Sequence, residues 1–356
     1  MRVRSAALFA VLFAVSVAAL SCTGGVDDMS LQGSGATFPA PLYKRWFLEY
    51  YRQNPNVRVN YAPIGSGAGI RQFTAGLVSF GASDAGISKS ETAKLPSDYG
   101  GVVPLPMTAG CIVLAYHLPE LSRPLRLSRK VYIKIFLREI TNWNDPEIGR
   151  DNPDVKLPDR DISVVTRADS SGTTYAFTMH MDAVAKKLGV AWAPGVDKAV
   201  RWKESIAAQG NDGVAALIQL TPGAIGYIEY GYANLAALPM AALENGAGQF
   251  VLPDKNGDAG RKALAAADIP DDLQIKVPDP SAEGAYPIVT YTWMLARKQY
   301  KSAKEADALK ALFRFCLEDR QQKLAAELGY LPMPPEVVSR LRPELDKIGV
   351  APNPSP

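Results

Sequence analysis

The stretch Arg167 to Phe177 reads RADSSGTTYAF. It sets one fixed positive charge and one carboxylate ahead of Ser171, Gly172 and Thr173, and then turns apolar. A planar guanidinium grips two oxygens of a tetrahedral anion, and small hydroxyl residues add neutral donors. The chemistry suggested is one wall of a site for a small oxyanion. Asp169, two residues beyond Arg167, either forms an ordinary surface ion pair or orients the guanidinium from behind, and both roles are compatible.

The same design occurs twice more. GSGATFPAP (33–41) and GSGAGIRQF (65–73) are also small-residue loops that feed into a helix, as DSSGTTYAF (169–177) does. A helix N-terminus offers unpaired N–H groups and a partial positive charge, and glycine lets an anion approach the backbone. Each loop alone reads as an ordinary N-cap. Three in one chain point to a shared ligand, provided that the fold brings them together. Asp84, in FGASDAG, is an acceptor and is either a turn aspartate bonding its own backbone or a partner for a proton carried by the ligand. Phosphate carries such a proton at neutral pH and sulfate does not, so one carboxylate would accept the first and penalise the second.

Other chemistries find little material. The two histidines, His117 and His180, have no metal-ligand neighbour at i+4, and no Gly-Lys pair marks a phosphate-binding loop of the nucleotide type. His180 lies in FTMHMDAVAKKL, where packing on a helix is the expected role. No metal or cofactor is expected. With Lys+Arg 39 against Asp+Glu 36, the net charge is +3, and no basic run suggests a nucleic-acid face.

The elements that must position these residues follow from pattern. At 356 residues the chain is long enough for two domains, and its many glycines and prolines suit an α/β protein. Arg2 and Arg4 precede an apolar run, Ala6 to Leu20, that is short for a membrane span, so residues 1–21 read as an export signal. Ala19-Leu20-Ser21-Cys22 resembles a lipoprotein box with its leucine one place late, making Cys22 a lipidation candidate. Residues 22–30 read as a spacer. Cys111 and Cys316 either pair or stay as buried small hydrophobes, and the second reading is adopted.

Beyond the spacer, a helix is expected near Pro39, with Leu42, Trp46, Phe47 and Tyr50 on its apolar face and a stop at Asn54-Pro55. VRVNYAPI, FGAS, Cys111 to Tyr116, DISVVT and YPIVTYTWML read as strands, and KSAKEADALKALFRFCLEDRQQKLAAEL as one helix with a Ser302/Glu305 capping box. Strands alternating with helices imply α/β architecture with mainly parallel pairing.

Taken in order, GSGATFPAPLY, YAPIGSGAGIRQF, FGASDAGIS and RADSSGTTYAF resemble the periplasmic phosphate-binding proteins of bacterial ABC phosphate importers. ITNWNDPEI, GNDGVAALIQLTPGAIGYIEYGYA and YPIVTYTWML support the likeness, which spans nearly the whole mature chain. The resemblance implies a type II periplasmic-binding-protein fold: two α/β lobes joined by crossing hinge strands, with a ligand cleft between them. Lobe 1 would comprise 31–110 and 288–356, and lobe 2 would comprise 111–287. Phosphate would be held by Thr37, the Phe38 N–H, Ser66, Asp84, Arg167, Ser171, the Gly172 N–H and Thr173, with Asp169 behind the arginine.

The implied protein is a monomer, not an enzyme. It is periplasmic or on the cell surface, tethered through a lipid on Cys22, and its partners are inorganic phosphate and an ABC permease in the cytoplasmic membrane. Arg138-Glu139 in FLREITNW and Ser170 beside the site stand where the family often has glycine. Three alternatives were weighed: binding of sulfate, molybdate or tungstate; hydrolysis of phosphate esters with Ser171 or Ser66 as nucleophile; and an adhesion or signalling role.

Overall fold

A computed structural model describes residues 28–265 and 267–351 of the chain. The expected export signal and Cys22 lie outside the described residues. The first strand already begins at Met29, inside the stretch read as spacer.

The strands are, in chain order, β1 Met29–Gly35, β2 Val57–Pro63, β3 Phe80–Ser83, β4 Val102–Tyr116, β5 Arg126–Leu127, β6 Ser163–Arg167, β7 Ser205–Ala208, β8 Ala224–Glu229, β9 Ala242–Glu244, β10 Phe250–Val251, β11 Val289–Arg297, β12 Gln299–Tyr300 and β13 Gly349–Val350. Eight of them form one sheet in the order β2-β1-β3-β11-β4-β8-β6-β7. Its two flanks are parallel, as the alternating pattern predicts. Its centre is not: β11 runs antiparallel to both β3 and β4, and β4 runs antiparallel to β8. The expectation of mainly parallel pairing therefore holds for the flanks alone.

The centre ties the flanks together. β4 is longer than the six apolar residues expected, because polar spacing does not interrupt Val102 to Gly110. Residues Val102 to Cys111 pair with β11, and Ile112 to Tyr116 pair with β8. One strand thus changes partners along its length. β4 and β11 are buried along nearly their whole length, so this crossing is a core element.

The first helix, Ala40–Gln53, starts after Pro39 and buries Leu42, Tyr43, Trp46, Phe47 and Tyr50. Asn54 ends it, with its N–H on the Tyr50 carbonyl. The long C-terminal helix is two, Ala303–Cys316 and Asp319–Glu327, because Glu318 is extended. The break serves Gln322. Its Nε2 donates to the Cys316 and Met107 carbonyls at 2.8 and 3.2 Å, and its Oε1 accepts from the Met333 N–H at 2.9 Å. Helical periodicity cannot register a side chain that replaces a helical bond. Of the Ser302/Glu305 pair, the Ser302 hydroxyl accepts from the Glu305 N–H.

Cys111 and Cys316 are free and buried, as adopted from the sequence. Arg138 has φ 60, in the left-handed region where glycine is at ease. The likeness at this position is thus explained by backbone conformation. The arginine is held there by a bond from Nη1 to the Ile162 carbonyl at 2.7 Å.

Candidate anion-binding site

The site residues sit at the carboxyl ends of strands, where ligands meet open α/β sheets. Thr37 and Phe38 follow β1, Asp84 follows β3, Arg167 ends β6, and Gly210 and Asn211 follow β7. Ser66 opens the helix Ser66–Thr74, and Ser171 precedes the helix Gly172–Leu188.

The loops meet through direct bonds. The Gly67 N–H donates to the Ser170 carbonyl at 2.9 Å. Ser66 Oγ accepts from the Gly172 N–H at 3.1 Å and from the Asp84 N–H at 3.2 Å. The Asn211 Nδ2 donates to Thr37 Oγ1 at 2.9 Å and to Thr173 Oγ1 at 3.4 Å. Contact is close enough that glycine is required: a Cβ on Gly172 would lie 2.5 Å from Ser66 Oγ and 2.7 Å from the Asp84 nitrogen. Ser170, where the family often has glycine, packs its hydroxyl against Gly67. Thr37, Ser66, Asp84, Arg167, Ser171 and Thr173 are all buried, and so is Phe38.

Arg167 is aimed by two partners. Its Nε and Nη2 donate to the Asp169 oxygens at 2.7 and 2.5 Å, and its Nη1 donates to Thr173 Oγ1 at 3.3 Å. Asp169 in turn accepts from the Gly210 N–H at 3.1 Å. The carboxylate therefore occupies one edge of the guanidinium, Thr173 takes one hydrogen of Nη1, and one hydrogen on each Nη remains to be given. Both readings of Asp169 hold, since the ion pair is the orienting device.

Asp84 is the second carboxylate here, and its side chain is bonded to a hydroxyl where Asp169 is bonded to the guanidinium. Thr292 Oγ1 donates to its Oδ1 at 2.7 Å, and Thr290 Oγ1 donates to its main-chain oxygen at 3.3 Å. Two residues apart on β11, these threonines share a face, and the register of β11 on β4 shifts between Thr292 and Trp293. Burial pushes the Asp84 carboxyl up to about 7, against the opposing pull of Thr292, of the Arg167 charge and of Ser66. Asp84 is joined to the loop that follows Arg167 through Ser66 Oγ, which accepts from both the Asp84 and the Gly172 N–H.

Ser171 also serves as the expected N-cap, accepting from the Thr174 N–H at 3.1 Å. Phe38 is fixed through its carbonyl, which accepts from Tyr330 Oη at 2.8 Å. His180 is a packing residue: Nε2 meets Tyr132 Oη at 3.0 Å, Nδ1 meets the Pro278 carbonyl at 2.9 Å, and burial lowers its pKa to about 4. An open groove of about 1010 Å³ between Tyr51, Arg58 and Tyr232 shares Thr37 with the site, so cavity shape does not locate it. The loops touch one another instead.

The pattern described as the PBP superfamily domain matches residues 22–320. A phosphate-binding protein PstS of Xylella fastidiosa is 35% identical over 322 residues, covering 88% of this chain and 84% of its own. The PstS of Pasteurella multocida is 34% identical over 349 residues, covering 95% and 94%. The chain belongs to the phosphate-binding proteins of the PBP superfamily. Among solved structures, a high-affinity periplasmic phosphate-binding protein bound with phosphate at pH 8.5 aligns with TM-score 0.71 and 20% identity, over 88% of this chain and 93% of its own. A phosphate-binding protein from Stenotrophomonas maltophilia gives TM-score 0.70 at 19% identity over the same shares. These two establish the two-lobe α/β fold that the sequence predicts for this family.

Two residues of the site escape the sequence reading. Asn211 follows a glycine in GNDG, at the start of a fourth helix, Gly210–Leu220, and this repeats the loop-to-helix signal of the other three. Thr292 carries no local signal beyond alternation in TYTW, and the fold alone places it on Asp84.

Proposed function

We propose that this protein binds inorganic phosphate outside the cytoplasmic membrane and delivers it to an ABC-type permease. The supporting observation is a buried carboxylate, Asp84, set among hydroxyl and amide donors and one oriented guanidinium. A fully ionised anion offers Asp84 nothing to accept, whereas phosphate retaining a proton satisfies both kinds of partner. Phosphate would lie against Thr37, the Phe38 N–H, Ser66, Asp84, Arg167, Ser171, the Gly172 N–H and Thr173. In this structure the Gly172 N–H is given to Ser66 Oγ, so ligand entry exchanges that bond for one to phosphate.

Lobe 1 is assigned to 31–110 and 288–356 and lobe 2 to 111–287, with β4 and β11 as the hinge. The change of partner along β4 at Cys111–Ile112 supports that boundary. Export through 1–21 and lipid attachment at Cys22 are the matching cellular reading. Among the described residues, no helix is long and apolar enough to cross a membrane.

Binding without chemistry is favoured over ester hydrolysis. Ser66 Oγ and Ser171 Oγ accept from backbone N–H groups, and both nitrogens of His180 are engaged elsewhere. Native mass spectrometry of the exported protein tests the reading. A retained phosphate is expected, with an N-terminal mass that carries the acyl groups of a lipidated Cys22. Titration calorimetry showing no phosphate binding would overturn the function.

A further inference from the structure

We infer that Asn211 is a positioning residue that turns Thr37 and Thr173 into obligate donors and so helps to set which protonation state of the anion the site accepts. The inference rests on the phosphate-binding reading.

A hydroxyl has one proton to give and two lone pairs with which to accept. Thr37 Oγ1 accepts from the Asn211 N–H at 3.3 Å and from its Nδ2 at 2.9 Å. Both acceptor positions are filled by one residue. Thr173 Oγ1 accepts from Arg167 Nη1 at 3.3 Å and from Asn211 Nδ2 at 3.4 Å, and is filled likewise. Each hydroxyl then has a single role left, which is to donate its proton.

The orientation of the Asn211 amide is itself fixed. Its Oδ1 accepts from the Glu229 main-chain N–H at 3.1 Å, and that group is donor-only. The amide cannot be flipped without facing donor to donor, so Nδ2 must point at the two threonines. Asn211 is fully buried, which removes water as a substitute partner. It also links the end of β8 to loops from both flanks of the sheet, so the hydroxyls are set as the loops come together.

The consequence is selectivity by counting protons. With both threonines committed as donors, a ligand proton is left to the Asp84 carboxylate or to the one remaining lone pair of Ser171 Oγ, and the carboxylate is the stronger acceptor. Without Asn211, Thr37 could accept a ligand proton or turn its own proton elsewhere, and its contribution to binding an ionised oxygen would fade.

The test is a double-mutant cycle read by phosphate titration calorimetry, with thermal unfolding measured alongside. In the native background, Thr37→Val is expected to weaken phosphate binding about fiftyfold. In an Asn211→Ala background the same substitution is expected to cost less than about fivefold. Equal losses in the two backgrounds would overturn the inference, because a structural role for Asn211 adds to the loss of Thr37 without coupling to it. If Asn211→Ala fails to fold, Asn211→Asp carries the same cycle: it keeps the oxygen that accepts from Glu229 and replaces the side-chain donor to Thr37 by an acceptor. That acceptor takes the proton of Thr37, so Thr37→Val is again expected to cost less than about fivefold in this background. A native protein that binds no phosphate would defeat the functional reading instead, so the two failures are distinct.

Discussion

Arg167 and Asp84 act oppositely on a ligand, and each can be tested alone. Arg167 is buried, with Nε and Nη2 committed to Asp169 and Nη1 to Thr173, and in the proposed site its remaining Nη hydrogens meet the anion. Truncating one member of a buried charged contact costs about 2–5 kcal/mol. Arg167→Ala should therefore weaken phosphate by at least about thirtyfold, as calorimetry would measure; unchanged affinity would remove the arginine from the site. In the proposed site Asp84 supplies the discrimination. Its carboxyl is held up to about 7, chiefly by burial, so above that pH it is ionised and repels sulfate. Below about 7 it carries a proton that sulfate can accept. Sulfate affinity should weaken roughly tenfold per pH unit above 7 and level off below it. Asp84→Asn, which donates at every pH, should bind sulfate at pH 8 without that slope. The linkage sign for folding is the same: the folded state keeps this proton between about 4 and 7, so stability from Asp84 is present at low pH and lost as pH rises through that window. Unfolding curves of Asp84→Asn should lack this loss.

The helices show which features of the chain were readable in advance. The loop-to-helix starts at 65–66 and 171–172 and the apolar face of the first helix follow from glycine placement and i, i+4 spacing, which are local properties. Arg167 and Asp169 were legible as a pair for the same reason. Thr292 was not, and Asn211 showed no more than the helix start in GNDG, since their partners are met only once distant loops touch. The break at Glu318 was hidden because Gln322 supplies the missing helical partner from its side chain. Gly172 tests the loop contact directly. It sits at the first turn of its helix, where alanine is conformationally acceptable. The added Cβ would nevertheless press on Ser66 Oγ and on the Asp84 backbone, which belong to the other side of the contact. Gly172→Ala should therefore lower phosphate affinity by about a hundredfold while Tm in the absence of phosphate moves little, because the added methyl presses on a loop contact and not on the strand pairing of either flank. A large fall in Tm with affinity retained would place this glycine in folding instead.

At the scale of the whole molecule, the two halves of the sheet are joined covalently through β4 and β11 and non-covalently around the site. Three of the contacts beyond the anion-binding loops are made by residues 85–91. Lys198 Nζ meets Glu91 Oε1 at 2.9 Å, Lys276 Nζ donates to the Ala85 carbonyl at 2.9 Å, and the Ile87 N–H donates to Gln274 Oε1 at 2.8 Å. Glu91 is itself held by a capping box with Ser88, so its carboxylate is preset before the lysine arrives. The loop carrying Lys198 also accepts the Ser171 N–H at the Lys198 carbonyl, at 2.8 Å, which couples this ion pair to the anion loop. In the proposed closure such a contact would form after ligand has entered and break before it leaves, and so would act on dissociation more than on association. The Lys198 and Glu91 side chains are 17% and 19% exposed, which places the pair near the upper end of the roughly 0.2–1 kcal/mol of surface bridges. Lys198→Met should then raise the phosphate dissociation rate about two- to fivefold and leave the association rate nearly unchanged in stopped-flow. Because solvent reaches the pair, high salt should accelerate release from the native protein and have a smaller effect on the variant. Equal salt sensitivity in both would mean that the screened charges lie elsewhere, and that the pair follows closure without holding it.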